Sequence, residues 1–113
     1  MNKRGVESEA MAAAFLEGRG LTIVARNYRC RLGEIDLVAR DGATTVFVEV
    51  RRRASQAFGG AAASITPAKR TKLLRAARHY LSRLRHVPPC RFDALLIEGE
   101  PARIEWIRDA FGE

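Results

Sequence analysis

Two acidic residues, Asp36 and Glu49, stand in stretches of sequence that are otherwise largely apolar. The stretches are Glu34–Ala39 and Thr45–Arg51, and an Asp-Gly pair typical of tight turns lies between them at 41–42. Apolar and polar residues alternate in both, which predicts the two strands of a β-hairpin. Because side chains repeat every two residues along a strand, cross-strand neighbours share a face. The sequence therefore predicts two carboxylates on one surface of a sheet.

The register of the hairpin decides how closely these acids approach. A two-residue loop at 41–42 places Asp36 opposite Phe47 and diagonal to Glu49, whereas a four-residue loop through Thr44 places it directly opposite Glu49. Either register brings the carboxylates within roughly 5 to 8 Å. Their repulsion must be relieved by a cation, a shared proton or water, and a divalent metal is the functional interpretation. The structural interpretation is a hairpin with one solvated face, and the pattern alone does not separate the two.

A third acid, Glu9, lies in the predicted first helix. The stretch Glu7–Glu17 is rich in Ala, lacks Pro and Gly, and is followed by glycine, so it predicts a helix with a glycine stop. Glu9 precedes Leu16 by two helical turns and shares its apolar stripe with Ala12. A carboxylate there belongs either to a functional site or to the positive end of the helix dipole, and periodicity alone favours the dipole.

The rest of the sequence predicts one strand before the hairpin, and a helix and two strands after it. The first strand is Leu21–Ala25. Asn27–Gly33 is predicted as a loop that either contacts DNA or covers the sheet edge with Tyr28. The last strands are Phe92–Ile97 and Arg103–Ile107, which complete an αβββαββ order and an α+β fold class.

The second helix is expected to begin at Thr66-Pro67, a favoured N-cap and first-turn pair, and to run to about Arg85. Its predicted apolar face is Leu73, Leu74, Ala77, Tyr80, Leu81 and Leu84, and its outer face is Lys72, Arg75, His79 and Arg83. Lys69 and Arg70 lie in the first turn, where cations oppose the helix dipole unless an anion compensates. This placement predicts an anion site at the start of the helix.

The formal net charge of +7 is unevenly distributed along the chain. Eleven Lys or Arg residues and no acid lie between Val50 and Phe92, whereas the rest of the chain is net negative. Clustered cations favour a polyanion because they release the counterions condensed on phosphates, so nucleic acid is the first candidate partner. The alternative is a basic surface that reflects an Arg-rich composition without a partner.

Length and composition predict a single domain over residues 1–113 with a hydrophobic core. No apolar run is long enough to span a bilayer, and the N-terminus lacks the apolar core of a signal peptide, so we expect a cytoplasmic protein without a membrane partner. Cys30 and Cys90 have no metal-ligand spacing and are predicted as idle thiols. Residues 54–65 form either a mobile loop that orders on substrate or a short helix, and both interpretations remain open.

An Asp on one strand followed by Glu-x-Lys on the next resembles the PD-(D/E)xK, or restriction-endonuclease-like, nucleases; here Asp36 precedes Glu49-Val50-Arg51, with Arg in the Lys position. The wider pattern comprises a Glu-bearing first helix, Asn27-x-Arg29, Gly33–Leu37, Phe47–Val50, Phe58-Gly59, Lys69 and Arg91–Asp93. It resembles the YraN family of uncharacterised bacterial proteins from Gly5 to about Phe111. That family is similar to archaeal Holliday-junction resolvases, which implies an α/β/α-layered fold with a central mixed sheet flanked by helices.

The resemblance implies a metal-dependent endonuclease of branched or structured DNA. It implies that Mg²⁺ or Mn²⁺ is held by Glu9, Asp36, Glu49 and the Val50 carbonyl, with Arg51 as the fourth catalytic side chain. Arg51 can neutralise charge but not act as a base, because guanidinium stays protonated. We expect Arg52, Arg53, Lys69, Arg70 and Lys72 to contact DNA, and we expect no small-molecule cofactor.

Three alternatives stay open at this point. The first is a nuclease whose activity Arg51 weakens. The second is a non-catalytic DNA-binding protein on a nuclease fold. The third is a protein whose basic face binds an acidic protein. Junction resolvases act as homodimers, and a homodimer is therefore open here, although no heptad or apolar stripe in the sequence marks a dimer face.

Overall fold

The computed structural model describes residues 3–53 and 65–111. Its elements are α1 Lys3–Gly18, β1 Thr22–Cys30, β2 Gly33–Asp41, β3 Thr44–Arg53, α2 Pro67–Ser82, β4 Cys90–Glu98 and β5 Arg103–Phe111. This order confirms the predicted αβββαββ arrangement and the α+β class. Both interpretations of 54–65, and the Phe58-Gly59 pair, fall almost wholly outside the described residues, so they remain predictions.

The five strands form one mixed sheet in the order β1-β2-β3-β4-β5. Neighbouring strands are antiparallel except β3 and β4, which are parallel. A parallel pair needs a long crossover, and the segment that contains α2 supplies it. The central strand is therefore β3, which carries Glu49 and Arg51.

The two helices cover opposite faces of this sheet, because successive residues of a strand point to opposite sides. On one face, α1 packs its Ala12, Ala13 and Leu16 against Leu37, Ala39, Val46, Val48, Val50, Leu95 and Ile97. On the other, α2 packs Leu73, Ala76 and Ala77 against Ile35, Val38, Phe47 and Phe92. Glu49 and Arg51 alternate in step with Phe47, and so they lie on the α2 face.

The β2–β3 connection fixes the hairpin register. Asp41 pairs with Thr44, so the turn consists of Gly42 and Ala43, and Gly42 adopts a φ of 62° that a residue with a side chain rarely adopts. Leu37 pairs with Val48 in the same ladder. The register is the one predicted with the four-residue loop, with Asp36 across from Glu49, but both predicted loops are wrong, since the turn is shorter than that loop and lies one residue beyond the two-residue one.

The prediction that Asn27–Gly33 is a loop is wrong, since β1 continues to Cys30 and only two residues turn the chain. The added strand is held by tertiary contacts that local sequence does not reveal. Tyr28 pairs with Ile35, packs edge-on against the ring of Tyr80, and shares a hydrogen bond with His79. Tyr28 therefore covers the edge of the sheet.

The start of α2 is as predicted and its end is not. The Thr66 hydroxyl accepts a hydrogen bond from the Lys69 amide at 3.3 Å, which confirms the N-cap. The helix ends at Ser82 rather than near Arg85, because the next amides bond three residues back, including that of Leu84 to the Leu81 carbonyl at 3.0 Å. Leu84 is consequently 38% exposed and lies outside the core.

A fully buried carboxylate, Asp93, joins β4 to β5. It accepts hydrogen bonds from Arg91 Nε at 3.0 Å, Trp106 Nε1 at 2.9 Å and the Asp109 amide at 2.8 Å. The register of the β4–β5 ladder shifts at this point, and Asp109 has a φ of 52°. The side chain thus replaces the ladder where the strand bulges.

Neither described helix is long and apolar enough to cross a membrane. The two cysteines, Cys30 and Cys90, are free thiols.

Candidate active site

An open cavity of about 110 Å³ lies between the β2–β3 hairpin and the first turns of α2. Three acids, three cations and one apolar side chain line it: Glu34, Asp36, Glu49, Arg51, Lys69, Lys72 and Leu73. Opposite charges are therefore concentrated in one small volume. Such a cavity suits a ligand that carries both signs of charge, such as a metal-bound phosphate.

The two predicted acids of the hairpin meet at the floor of this cavity. Asp36 and Glu49 are buried, with 8% and 5% of their surface exposed. Asp36 Oδ2 accepts a hydrogen bond from the Val50 amide at 2.8 Å, which ties the side chain of β2 to the backbone of β3. The carboxyl of Glu49 hydrogen-bonds in turn to that of Asp36. The hairpin register therefore creates a pair of touching carboxyl groups.

This contact changes the protonation of Glu49. Burial, followed by the hydrogen bond and the charge of Asp36, raises the pKa of Glu49 from 4.5 to about 9, although Arg51 and Lys69 oppose the rise. The pair consequently holds a proton at neutral pH. A divalent cation could take the place of that proton, because it would neutralise both carboxylates.

Arg51 contacts the same pair from the side. Its Nη1 lies 2.6 Å from Glu49 Oε1 and donates to the Val50 carbonyl at 3.2 Å. Its Nε is buried and has no hydrogen-bond acceptor among the described residues. The guanidinium is thus held at two oxygen atoms, and its buried Nε–H lacks an acceptor within the described part of the chain.

Glu9 approaches the pair but does not join it. Its Oε1 accepts a hydrogen bond from Asn27 Nδ2 at 2.9 Å, and burial, together with the charges of Asp36 and Glu34, raises the pKa of Glu9. Within residues 3–53 and 65–111, no three His, Cys, Asp or Glu side chains are grouped closely enough to hold a metal ion. Because α1 begins at Lys3, Glu9 also lies beyond the first helical turn, where the dipole interaction fades.

The predicted DNA-contacting cations separate into groups. Lys69 and Lys72 line the open cavity that also contains the acids, and Lys72 is exposed, as its predicted outer-face position requires. Arg70 stacks over the Phe111 ring, with its Cζ 5.7 Å from the ring centre, and lines an apolar pocket instead. Arg52 points to the opposite face, where its Nη2 lies 3.5 Å from Glu100. The side chain of Arg53 is outside the described part of the structure.

A close approach of α2 to β2 brings the two lysines into the lining of the cavity that contains the acids. A Cβ atom built on Gly33 would lie 2.8 Å from the Lys72 carbonyl oxygen, so only glycine allows this contact. Sequence reasoning missed the consequence for Lys72, because the contact joins residues far apart in the chain. It also did not expect Glu34 to line this cavity, although Glu34 stands two residues before Asp36 and shares its face.

The donor atoms at the floor of the cavity fit a hard divalent cation. Two carboxyl groups and the Val50 carbonyl offer oxygen ligands, and Mg²⁺ is commonly held by one or two carboxylates while it keeps several waters. Mn²⁺ accepts the same oxygen ligands. A complete cage of protein ligands is therefore not required.

Comparison with known proteins identifies the family. The family model described as uncharacterised protein family UPF0102 matches residues 8–97. A UPF0102 protein of Nitrosomonas eutropha is 60% identical over 97% of this chain and 94% of its own length. UPF0102 proteins of Nitrosospira multiformis and Methylobacillus flagellatus are 59% and 56% identical, over 96% and 98% of this chain and 92% and 98% of their own lengths. The chain therefore belongs to UPF0102, the YraN family that its motifs resemble.

Proposed function

We propose that this protein is a metal-dependent endonuclease of branched or otherwise structured DNA. The observation that carries the proposal is the contact of two buried carboxyl groups, Asp36 and Glu49, in a cavity that three cations also line. Burying two acidic side chains against each other costs free energy unless a bound cation or a shared proton neutralises their charge. Asp36 and Glu49 would hold a divalent metal, and the cations that line the same cavity would bind a DNA phosphate.

In this proposal Asp36, Glu49 and the Val50 carbonyl hold Mg²⁺ or Mn²⁺, with Glu9 as an outer acid. When bound, the metal activates a water molecule and stabilises the charge that develops on the scissile phosphate. The Val50 amide fixes Asp36 in one orientation through its 2.8 Å hydrogen bond. The second acid is held by Arg51 on one side and Asp36 on the other, so both carboxyls are positioned before substrate arrives.

The cations of the cavity have separate roles. Lys69 and Lys72 line the cavity from α2 and would bind the non-bridging oxygens of the phosphate. Arg51 would stabilise transition-state charge, but it cannot take a proton from water because its guanidinium stays protonated. Lys69 also acts electrostatically on Glu49, which places its charge near the acids where a phosphate would bind.

DNA is the proposed partner because the basic residues concentrate on one part of the chain, and phosphate contacts supply most of the affinity of such surfaces. The preference for branched DNA, and a homodimer that could bind two strands of a junction, follow from the resemblance to junction resolvases. Both the substrate preference and the homodimer are therefore parts of the proposed nuclease function.

The deciding experiment is a cleavage assay on four-way junctions, flaps and linear duplexes with Mg²⁺ or Mn²⁺. Cleavage by the wild type, lost in Asp36→Ala and retained in Glu34→Ala, would support the proposal. Glu34 is the matched control because it lines the same cavity, while its side chain is half exposed and paired with Arg29 at 2.9 Å. A purified protein that binds these substrates but cleaves none of them would refute it.

A second candidate function is a non-catalytic DNA-binding protein. It is favoured by Arg51 in the Lys position of the motif and by the separation of Glu9 from the acid pair. In that case DNA affinity would be the same with EDTA as with Mg²⁺. A module that binds acidic proteins through the same cations would instead prefer an acidic polypeptide to duplex DNA of equal charge at the same salt concentration.

A further inference from the structure

The contacts of Arg51 are those expected of a bound cation. Its Nη1 sits 2.6 Å from Glu49 Oε1 and 3.2 Å from the Val50 oxygen, and these are two of the oxygen atoms that the proposed metal site uses. Positive charge is thus already held between a carboxyl oxygen and a carbonyl oxygen. Three quarters of the Arg51 side-chain surface is shielded from solvent, so this is not a loose surface ion pair.

We infer that the Arg51 guanidinium occupies the metal position in the metal-free protein and must leave it before a divalent cation can bind. This inference rests on the metal site of the proposed function and adds a mechanism that controls its loading. Two cations cannot share one carboxylate oxygen and one carbonyl at contact distance, because their mutual repulsion is strong in a partly buried site. Metal affinity therefore includes the cost of displacing Arg51.

A displaced Arg51 has a natural acceptor in the substrate. Its Nε is buried without an acceptor among the described residues, and an unpaired buried donor is unfavourable. A phosphate oxygen bound by Lys69 and Lys72 would lie in the same cavity and could accept from the guanidinium. DNA binding would then draw Arg51 from Glu49 and open the site to metal.

The test is Mn²⁺ binding by isothermal titration calorimetry to the full-length protein, without DNA and at one fixed pH. Arg51→Met is expected to bind Mn²⁺ about tenfold more tightly than the wild type, since it removes the competing cation. Arg40→Met is the control, because it removes the same charge from an exposed position on β2 roughly 13 Å from Asp36, which is beyond the Debye length. It should bind as the wild type does.

The outcomes separate this inference from the proposed function. Wild-type binding with no gain in Arg51→Met over Arg40→Met would overturn the role of Arg51 and leave the metal site standing. Absence of Mn²⁺ binding in every variant would overturn the metal site itself. If circular dichroism shows that Arg51→Met is unfolded, Arg51→Gln removes the charge while keeping a polar side chain, and the same gain is required of it. A crystal structure with Mn²⁺ should show Nη1 beyond hydrogen-bond distance of the Val50 oxygen.

Discussion

The protonated carboxyl pair makes the stability of this protein depend on pH in an unusual direction. Glu49 has a pKa of about 9 in the folded chain and 4.5 as its ordinary value, so between these values the folded state binds a proton that the unfolded state has released. Stability therefore falls as the pH rises through this window. Glu49→Gln cannot titrate, yet its amide can still donate to Asp36 and accept from Arg51. It imitates the protonated side chain.

The size of the effect follows from linkage. One proton of difference changes the free energy of unfolding by about 1.4 kcal/mol per pH unit, or up to about 2.7 kcal/mol between pH 6 and pH 8. For a chain of 113 residues this corresponds to a difference of roughly 10 °C in melting temperature. Glu49→Gln should lack this decline and be more stable than the wild type at pH 8.

The assay is thermal unfolding of wild type and Glu49→Gln at several pH values with EDTA present, followed by circular dichroism. The difference in melting temperature between the two proteins at each pH cancels the contribution of every group that titrates alike in both. Glu34→Gln removes an acid from the same cavity but leaves Glu49 ionisable, so it should keep the wild-type slope. If wild type and Glu49→Gln lose stability equally as the pH rises, the hypothesis of a shared proton is refuted.

Three further perturbations test the cavity. Replacing Lys69 and Lys72 with Gln should weaken DNA binding. The slope of log affinity against log salt concentration should become shallower by about 0.9 for each phosphate that the variant no longer neutralises. An unchanged slope would mean that DNA binds elsewhere on the surface. Arg51→Lys should raise the rate of metal-dependent cleavage about tenfold, which corresponds to ~1.4 kcal/mol at the transition state, while DNA affinity stays constant. If the wild type and Arg51→Lys are both inert, the weakened-nuclease hypothesis is contradicted. Gly33→Ala should cost about 1–3 kcal/mol in urea unfolding because its Cβ meets the Lys72 carbonyl, whereas Gly18→Ala, which meets nothing within 4 Å, should be nearly neutral. Equal stabilities of the two glycine variants would contradict the close approach.

The fold was largely predictable because its signals are local. Alternation marked β2 and β3, and the Thr66-Pro67 pair marked the start of α2. The approach of Asp36 to Glu49 followed from alternation as well, since either register put them on one face. The register itself was not predictable, because an Asp-Gly pair fits more than one loop length.

The remaining features depend on contacts between distant residues. The position of Lys72 follows from the contact of its carbonyl with Gly33, and the extension of β1 depends on Tyr28 packing against Tyr80. Glu9 is partly buried, as its place on the apolar stripe predicted, but its hydrogen-bond partner is Asn27, which adopts a φ of 53° inside a strand. No pattern in the sequence predicts a positive φ at this position.

The position of β3 at the centre of the sheet affects how the site responds to local opening. Its neighbours on both sides hold it by backbone hydrogen bonds, so the strand that carries Glu49 is exposed only when the sheet itself comes apart. The helix that carries Lys69 is held to the sheet by side-chain packing and can detach without breaking that ladder. Local opening is therefore expected to move Lys69 and Lys72 away from the cavity before it disturbs the acids. If the proposed function holds, a bound nucleic acid would be released while the floor of the cavity stays assembled.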